Sequence, residues 1–384
     1  MNNFIPFALG VIFVTVNGLT QLLFAQIQGF KLKPASIGLI IAALFSGFLG
    51  LITPVTGQST MIALAGKIKE QDQRVAALLL SSVLMMILGV TGSISTAIDF
   101  VGPAIITGMM AGVGLMLASI GGKFITSRKN GELEVEAISV GIVSLVSAIG
   151  IYFWFFDDPN VLVYTIAGSV TLSTVYYLVF HRKYSDIDTA MVKGGAEGGK
   201  FWTKSYWQTD DWKIVKPKFT IEAIVLALAL ICLGVGITAS FGVINADIAG
   251  VEQNIDHLTS VSGLAGFVSE LFGGMPLETI VSGTAAAPWP VAGNVAVLLL
   301  LAALLITGVV AKITKYIPLQ SIAGFLMVIG MFSIFLPQIQ NDGFASDIPA
   351  AGITMAVTKL TDNPFVGVLA GLTIRALGHF IGLG

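Results

Sequence analysis

Charged residues are scarce in this chain: Asp, Glu, Lys and Arg make up 11% of its 384 residues, whereas 55% are hydrophobic. Cysteine is limited to Cys232, which excludes a disulfide framework. The three histidines, His181, His257 and His379, lie too far apart in sequence for a metal-binding motif, and we expect no metal or cofactor. A soluble domain does not bury so large an apolar fraction, so the composition predicts an integral membrane protein.

Long, continuous apolar runs predict an all-α polytopic membrane protein of about fourteen spans. The third and the tenth spans are short and are interrupted by Pro and Gly residues. The one long hydrophilic connection, residues 181–218, divides the chain into two halves of seven spans. The predicted spans are 4–26, 34–52, 53–68, 74–98, 101–122, 133–156, 160–181, 219–244, 257–273, 276–290, 291–311, 317–337, 347–360 and 363–381.

Two sequence features recur in the same order in both halves. Gly108 and Gly114 enclose a five-residue spacer in the fifth span, and Gly324 and Gly330 do the same in the twelfth. A short broken span lies two spans before each of these helices. Because each half has an odd number of spans, the halves enter the membrane with opposite orientation. This predicts the 7+7 inverted repeat of secondary transporters.

The two broken spans are the predicted location of the substrate site. The first broken segment, residues 53–60, and the second broken segment, residues 276–284, each begin with a short extended stretch. Helices are expected to begin near Gln58 and Ser282, so that two helix N-termini face each other in the middle of the membrane. Their free N–H groups suit an anion or the carbonyl oxygens of a neutral polar ring.

Polar side chains in the broken segments are the candidate ligands. Glu278 is the only carboxylate in either segment, and we expect it to carry the proton that couples transport to the proton gradient. The alternative for Glu278 is a structural carboxylate that caps the following helix. The candidate substrate-binding residues of these segments are Gln58, Ser59, Thr60, Glu278, Thr279, Ser282 and Thr284.

Basic residues are absent from every second connection between the predicted spans. All but one of the 20 Lys and Arg residues lie in the odd-numbered connections, the exception being Arg375 in the last span. The positive-inside rule therefore predicts that the odd-numbered connections, including the loop from His181 to Lys218, are cytoplasmic. Both termini are then outside, in a cell membrane of the bacterial inner-membrane type.

Four stretches resemble the nucleobase/ascorbate transporter family, the nucleobase–cation symporters of the second type, to which xanthine and uracil permeases belong. They are 54–60 (PVTGQST), 100–118 (FVGPAIITGMMAGVGLMLA), 258–283 (LTSVSGLAGFVSELFGGMPLETIVSG) and 317–331 (IPLQSIAGFLMVIGM). The resemblance implies a 7+7 inverted-repeat fold that is shared with sulfate-permease-like anion transporters. It also implies an elevator-type movement, a homodimer, and a substrate held between spans 3, 8 and 10.

The resemblance divides the chain into a core domain and a gate domain. The core domain comprises residues 1–98 and 219–315, the gate domain residues 99–181 and 316–384, and a cytoplasmic loop, 182–218, joins them.

The acidic side chains that grip the substrate in this family are replaced here. Ser282 and Gly283 stand where the family has a Glu often followed by Asn, and Ile237 or Thr238 stands where it has the acid of the eighth span. Thr238 and Gly283 therefore join the candidate substrate-binding residues. The resemblance indicates the fold and leaves the substrate open.

The sequence thus predicts a proton-coupled secondary transporter for a purine-, xanthine- or uracil-type nucleobase or a related small heterocycle, on which Phe241 is a candidate for stacking. An anion transporter or channel of the same fold is the alternative, because paired helix N-termini need no acid to hold an anion. A membrane-embedded enzyme is disfavoured, since no catalytic side chains cluster. The expected partners are the substrate, H+ and the lipid bilayer. The aromatic residues of 202–212 are expected to anchor the loop at the membrane interface rather than to bind nucleic acid.

Overall fold

The computed structural model describes residues 4–126, 128–129, 132–133, 135–158, 161–181, 210–310 and 316–381. Most of the predicted cytoplasmic loop and both Lys312 and Lys315 therefore lie outside the described residues. In the first half the elements are α1 (Phe4–Ile27), α2 (Ala35–Leu49), β1 (Val55–Gly57), α3 (Ser59–Ala65), α4 (Gln71–Val90), α5 (Ile94–Val101), α6 (Pro103–Ile125), β2 (Arg128–Lys129), β3 (Glu132–Leu133), α7 (Val135–Trp154) and α8 (Val161–Phe180).

The second half repeats this order with one long and several shorter helices. Its elements are α9 (Ile221–Ala249), α10 (Ile255–Leu271), β4 (Leu277–Thr279), α11 (Pro290–Ile306), α12 (Gln320–Ile339), α13 (Asp342–Ser346), α14 (Ile348–Thr361) and α15 (Pro364–Ile381). Within the described ranges, six helices are long and apolar enough to cross a membrane, namely α1, α4, α6, α7, α9 and α12.

The helix bounds differ from the predicted spans mainly where glycine or proline ends a helix. The predicted fourth span, 74–98, is divided at Gly92, whose positive φ of 66° ends α4, and the short helix α5 follows. Gly102, at φ 80°, separates α5 from α6, and Pro103 starts α6 at a position where its missing N–H has no helical partner.

The helix expected to begin near Ser282 does not form. Only a single 3₁₀ turn, Gly283–Ala286, follows the second broken segment's strand. Ala287 is extended, with ψ of 154°, because the residue before a proline avoids the helical region, and Pro288 follows it. The prediction of two facing α-helix N-termini is therefore wrong for the second broken segment.

Packing divides the helices into two groups. In the first helix group (α1–α4 and α9–α11), α10 packs against α4 and α2, α9 against α4, and α11 against α2 and α1. In the second helix group (α6–α8, α12, α14 and α15), α7 packs against α8, α6 against α12 and α14, and α14 against α15. The two groups meet mainly where α9 contacts α15 and α6, and where α1 contacts α8.

The repeated glycines fix one of these contacts. Gly114 of α6 and Gly330 of α12 lie so close that a Cβ on Gly330 would be 2.5 Å from the Gly114 carbonyl oxygen. The two copies of the repeated motif therefore pack against each other, backbone to backbone, as small residues allow in membrane proteins.

Four odd-numbered connections lie together on one side of the molecule. The Lys31 N–H donates to Gly273 O at 3.1 Å, and the Lys218 N–H donates to Asp72 O at 3.1 Å. The Lys33 ammonium lies 2.7 Å from an Asp211 carboxylate oxygen. These four connections, the first, third, seventh and ninth, therefore lie on the same face of the molecule. The assignment of that face to the cytoplasm stays a prediction.

Candidate functional site

The strands of the two broken segments pair with each other where the two halves of the chain meet. β1 and β4 are antiparallel, with Val55 opposite Thr279, Thr56 opposite Glu278 and Gly57 opposite Leu277. Since successive side chains of a strand point to opposite faces, Thr56 and Glu278 lie on one face of this small sheet. The predicted extended stretches are therefore present, and they form one structure.

Side-chain amides satisfy the backbone groups that the broken helices leave without partners. Gln253 Oε1 accepts from the N–H groups of Ile52 and Thr53, at 3.1 and 3.2 Å. Asn294 Nδ2 donates to the carbonyl oxygens of Leu51 and Thr53, at 2.9 and 3.2 Å. At membrane depth these contacts replace water, so they hold the entry to β1 in place.

Asn245 of α9 satisfies backbone groups of the second broken segment. Its Nδ2 donates to Ile280 O at 2.8 Å and to Thr53 Oγ1 at 3.1 Å, and its Oδ1 accepts from the Ser282 N–H at 2.9 Å. One side chain thus joins both broken segments, which makes Asn245 a positioning residue.

Gln58 caps the helix that follows β1. Its Oε1 accepts from the N–H groups of Thr60 and Met61, at 2.6 and 3.2 Å, and from the Thr60 hydroxyl. Two backbone donors require an acceptor, so the carbonyl oxygen of this amide faces the helix. The Gln58 Nε2 group consequently points away from α3.

A cavity of about 60 Å³ lies beside Gln58, between the two helix groups. Its polar wall comes from α1 and the first broken segment, and most of the remainder is apolar. The lining residues are Asn17, Gln21, Gln58, Ser59, Leu162, Ile166, Phe241, Ile280, Val281, Ile329, Ser333 and Ile334. No acidic or basic side chain is among these described lining residues.

The amide groups of the cavity wall use their oxygens within the protein. The Ser59 hydroxyl donates to Gln21 Oε1, and Gln21 Nε2 lies 3.5 Å from Asn17 Oδ1. In the part of the chain that is described, no acceptor is bonded to Asn17 Nδ2 or Gln58 Nε2. The cavity therefore offers N–H donors and lacks a carboxylate.

Glu278 faces away from this cavity. Its Oε1 accepts from the Thr238 hydroxyl at 3.0 Å, the Ser262 hydroxyl at 2.8 Å and the Thr279 N–H at 2.8 Å. The side chain is buried, and the Thr56 hydroxyl oxygen on the same sheet face has no partner among the described residues. The structure thus brings Thr238 and Glu278 together, apart from Gln58 and Ser59.

The remaining predicted site residues lie at packing contacts. Thr279 is fully buried. Ser282 Oγ accepts from the Thr284 N–H at 3.2 Å and lies 2.6 Å from Thr284 Oγ1, so it caps the 3₁₀ turn. The Gly283 carbonyl oxygen packs against Gly10 of α1, at 3.6 Å from an ideal Cβ there. Ser282, Gly283 and Thr284 are not among the residues that line the cavity.

Sequence reasoning missed three polar residues in or near the site. Asn17 and Gln21 are four residues apart, so they share one face of α1, and this polar stripe in an apolar helix was a usable signal. Glu270 of α10 is a second buried carboxyl, and it accepts from the Ser82 hydroxyl at 2.6 Å. Nothing in the sequence distinguishes Glu270 from an exposed carboxylate at the end of a helix.

No known family model matches the sequence, and no curated protein matches it. Solved structures do resemble the fold. The transmembrane domain of the cyanobacterial bicarbonate transporter BicA has a TM-score of 0.65 at 14% identity, over 97% of this chain and 98% of that chain. The murine anion transporter Slc26a9, in its inward-facing state, has a TM-score of 0.68 at 14% identity, over 99% of this chain and 68% of that one.

A further structure, described as the overall structure of SLC26A9, has a TM-score of 0.65 at 15% identity, over 98% of this chain and 65% of that chain. Identities this low establish the fold alone. The predicted fold class is confirmed, whereas the resemblance to nucleobase transporters is not. The chain is an all-α polytopic membrane protein with the fold of these transporter domains.

Proposed function

We propose that this chain is a secondary transporter that carries a small anion through the cavity between its two helix groups, together with a proton. One observation carries the proposal: the cavity presents amide N–H donors and no carboxylate. Oxygens of an anion accept from such donors, while an acidic side chain in the wall would repel them. The donors come from Asn17 and Gln58, on either side of the Gln21–Ser59 hydrogen bond.

The size of the cavity favours a solute of few atoms. A volume of about 60 Å³ holds about four to six water-sized groups. A volume of this size suits an oxyanion of few heavy atoms, such as bicarbonate. The solved transporters of the same fold are described as carrying bicarbonate, for BicA, and anions, for Slc26a9, which supports the same substrate class here.

Proton coupling is assigned to Glu278. A buried carboxylate without a cation in contact is costly, and binding of a proton removes its charge. Glu278 and Glu270 both meet this description among the described residues. We assign the proton to Glu278 because it lies in β4, which leads directly to the cavity residues Ile280 and Val281. The proton is then held on Glu278, which does not line the cavity, and the anion lies within the cavity, so that the two move together.

The two helix groups supply the moving parts. The first helix group holds β1, β4 and most polar cavity residues, and we take it as the core domain of this proposal. The second helix group supplies Leu162, Ile166 and the α12 residues, and we take it as the gate domain. An elevator-type movement of the first group against the second opens the cavity to either side. The expected homodimer stays a prediction.

A nucleobase is the second candidate substrate. Phe241 and Ile280 provide apolar walls for a ring, and the Asn17 and Gln58 amides suit its carbonyl oxygens. A nucleobase has roughly twice the heavy atoms of bicarbonate, so the helix groups would have to separate further around it.

Uptake by purified protein in liposomes tests these alternatives. Radiolabelled bicarbonate, sulfate, uracil and xanthine are offered separately, with and without a pH gradient. The anion proposal predicts uptake of bicarbonate or sulfate that a pH gradient accelerates. Uptake of uracil or xanthine alone would establish the second candidate, and uptake of none of the four would overturn the transporter proposal. Gln73→Ala, which changes an amide outside the cavity, is the control for variants of Gln58.

A further inference from the structure

Ser333 is the one polar side chain that α8 and α12 contribute to the described lining of the cavity. It lies in Ile329–Phe335, a π-helical stretch within α12. Its hydroxyl oxygen is buried and has no hydrogen-bond partner among the described residues. A buried hydroxyl without a partner is unusual, and π-helical turns are frequent at functional sites.

Ser119 and Thr354, two other helical hydroxyls of the second helix group, bond to their own helix, whereas the buried Thr358 hydroxyl has no partner among the described residues. Ser119 Oγ donates to Leu115 O at 2.9 Å, and Thr354 Oγ1 donates to Ala350 O at 2.7 Å. In the π-helical stretch the backbone bonds five residues back, as the Leu336 N–H does to Met331 O. Ser333 Oγ has no hydrogen-bond partner there among the described residues.

The neighbouring backbone holds Ser333 in this position. Gly330 packs against the Gly114 carbonyl oxygen, and a Cβ on Gly114 would lie 2.7 Å from the Phe335 N atom. The π-helical stretch is therefore clamped between α6 and the cavity. These contacts fix the backbone that carries Ser333 relative to α6.

We infer that Ser333 is a specificity-determining substrate contact supplied by the second helix group, facing the donors of Asn17 and Gln58 across the cavity. The inference rests on the proposed function and extends it. A rotating hydroxyl donates to an anion oxygen, or accepts from a ring N–H. Because Ser333 and Gln58 belong to different helix groups, a solute that bonds to both stabilises the groups in contact. Occupancy of the cavity is thereby linked to its closure.

The first test compares Ser333→Ala and Ser333→Thr with wild type in liposome uptake of bicarbonate and of uracil. Loss of a hydrogen bond to the solute should raise the half-saturating concentration of the transported probe roughly tenfold in Ser333→Ala. Ser333→Thr keeps the hydroxyl and should stay near wild type. Ser119→Ala is the matched control, since that hydroxyl is bonded to its own helix, and it should change nothing.

Each outcome of this test decides one question. An unchanged half-saturating concentration in Ser333→Ala, with wild-type uptake intact, would overturn the role of Ser333 and leave the proposed function standing. Absence of wild-type uptake of both probes, and of sulfate and xanthine, would overturn the proposed function and this inference with it.

A second test does not depend on the substrate. In a Cys232→Ala background, which removes the only cysteine, Ser333→Cys and Ser119→Cys are treated with a charged, membrane-impermeant thiol reagent. Reaction at position 333 and not at 119 is expected, because only the cavity admits a water-soluble reagent. Equal reactivity of the two cysteines, or none at 333, would show that Ser333 does not face the cavity and would overturn the inference.

Discussion

The first and second broken segments each begin as an extended strand, and the two strands pair antiparallel in the middle of the first helix group. Both segments then send two residues to the cavity directly after the strand. These are Gln58 and Ser59 after β1, and Ile280 and Val281 after β4. The positions correspond, but one pair is polar and the other is apolar.

The difference continues beyond the cavity. The first broken segment runs into α3, whose N-terminus Gln58 caps, while the second ends in a 3₁₀ turn capped by Ser282. The second segment carries its one carboxyl group, that of Glu278, within the strand, on the face that Thr56 shares. An inverted repeat thus preserves the backbone path and divides the chemistry. In the proposed mechanism, the first copy supplies polar contacts to the solute, and the second holds the proton-carrying group.

The largest expected effect comes from Glu278→Gln. The amide keeps acceptors for Thr238 and Ser262 but cannot exchange a proton, so pH-gradient-driven uptake should fall to the level of empty liposomes. Exchange of labelled for unlabelled solute across the membrane, which moves no net protons, should persist. Both rates are measured in the same liposomes.

Glu136→Gln, in the first turn of α7 and outside the cavity, serves as the control for this variant. If Glu278→Gln supports driven uptake at the wild-type rate, the second broken segment does not hold the coupling group. The division of labour between the segments would then be wrong.

The next effect separates Gln58 from its counterpart Ile280. Gln58→Ala removes a free donor and the α3 cap, and should raise the half-saturating solute concentration about tenfold at a stability cost of about 1 kcal/mol. Ile280→Ala removes a buried aliphatic side chain, and should cost about 2–5 kcal/mol with less effect on half-saturation. Thermal melting and uptake are measured on both variants. If Ile280→Ala lost more affinity for the solute than Gln58→Ala, the apolar wall rather than the polar wall would hold the solute.

The two breaks were predictable because proline and glycine act locally. Pro54 and Pro276 each precede an extended stretch, as expected from the missing N–H. The wrongly predicted helix near Ser282 also has a local cause, because the Ala287–Pro288 pair blocks helix growth. Local rules thus account for most of the fold.

The direction of the site's side chains was not predictable in this way. Glu278 faces Thr238 and Ser262 because β4 pairs with β1 in one register. This strand pairing joins residues more than two hundred positions apart in the sequence. A shift of one residue would turn Glu278 to the other face of the sheet, away from Thr238 and Ser262. Strand register between distant segments has no periodicity to reveal it, so the site was assigned to the right segments and to only some of the right residues.

Ser282→Ala tests the smaller role of the second segment's cap. Ser282 Oγ accepts from the Thr284 N–H at the start of the 3₁₀ turn and does not line the cavity. We expect a loss of about 0.5–1 kcal/mol in stability, seen as a lower melting temperature, and unchanged uptake kinetics. A changed half-saturating concentration would place Ser282 in contact with the solute, as the resemblance to nucleobase transporters implies for this position.

The smallest expected effect concerns the odd-numbered connections after α3 and α14, where the two helix groups touch. Lys67 follows the first broken segment's helix, and its ammonium donates to Asp362 O and lies 3.8 Å from an Asp362 carboxylate oxygen. Burial lowers the pKa of Lys67, and the negative charge of Asp362 opposes that shift. The second broken segment has no equivalent link to α14 or α15 among the described residues.

Lys67→Met removes this link and should change stability by less than about 1 kcal/mol, because the pair is partly exposed. We expect the loss of this link to change the side of the membrane to which the cavity opens. In a Cys232→Ala background, a Ser59→Cys reporter should react faster with a thiol reagent applied from the side of Lys67. Lys69→Met, in the same connection but bonded only to Gly66 O, is the control. Equal labelling rates with and without Lys67 would mean that the contact does not restrain the two helix groups. The two broken segments would then differ only in their cavity residues and not in a link to the second helix group.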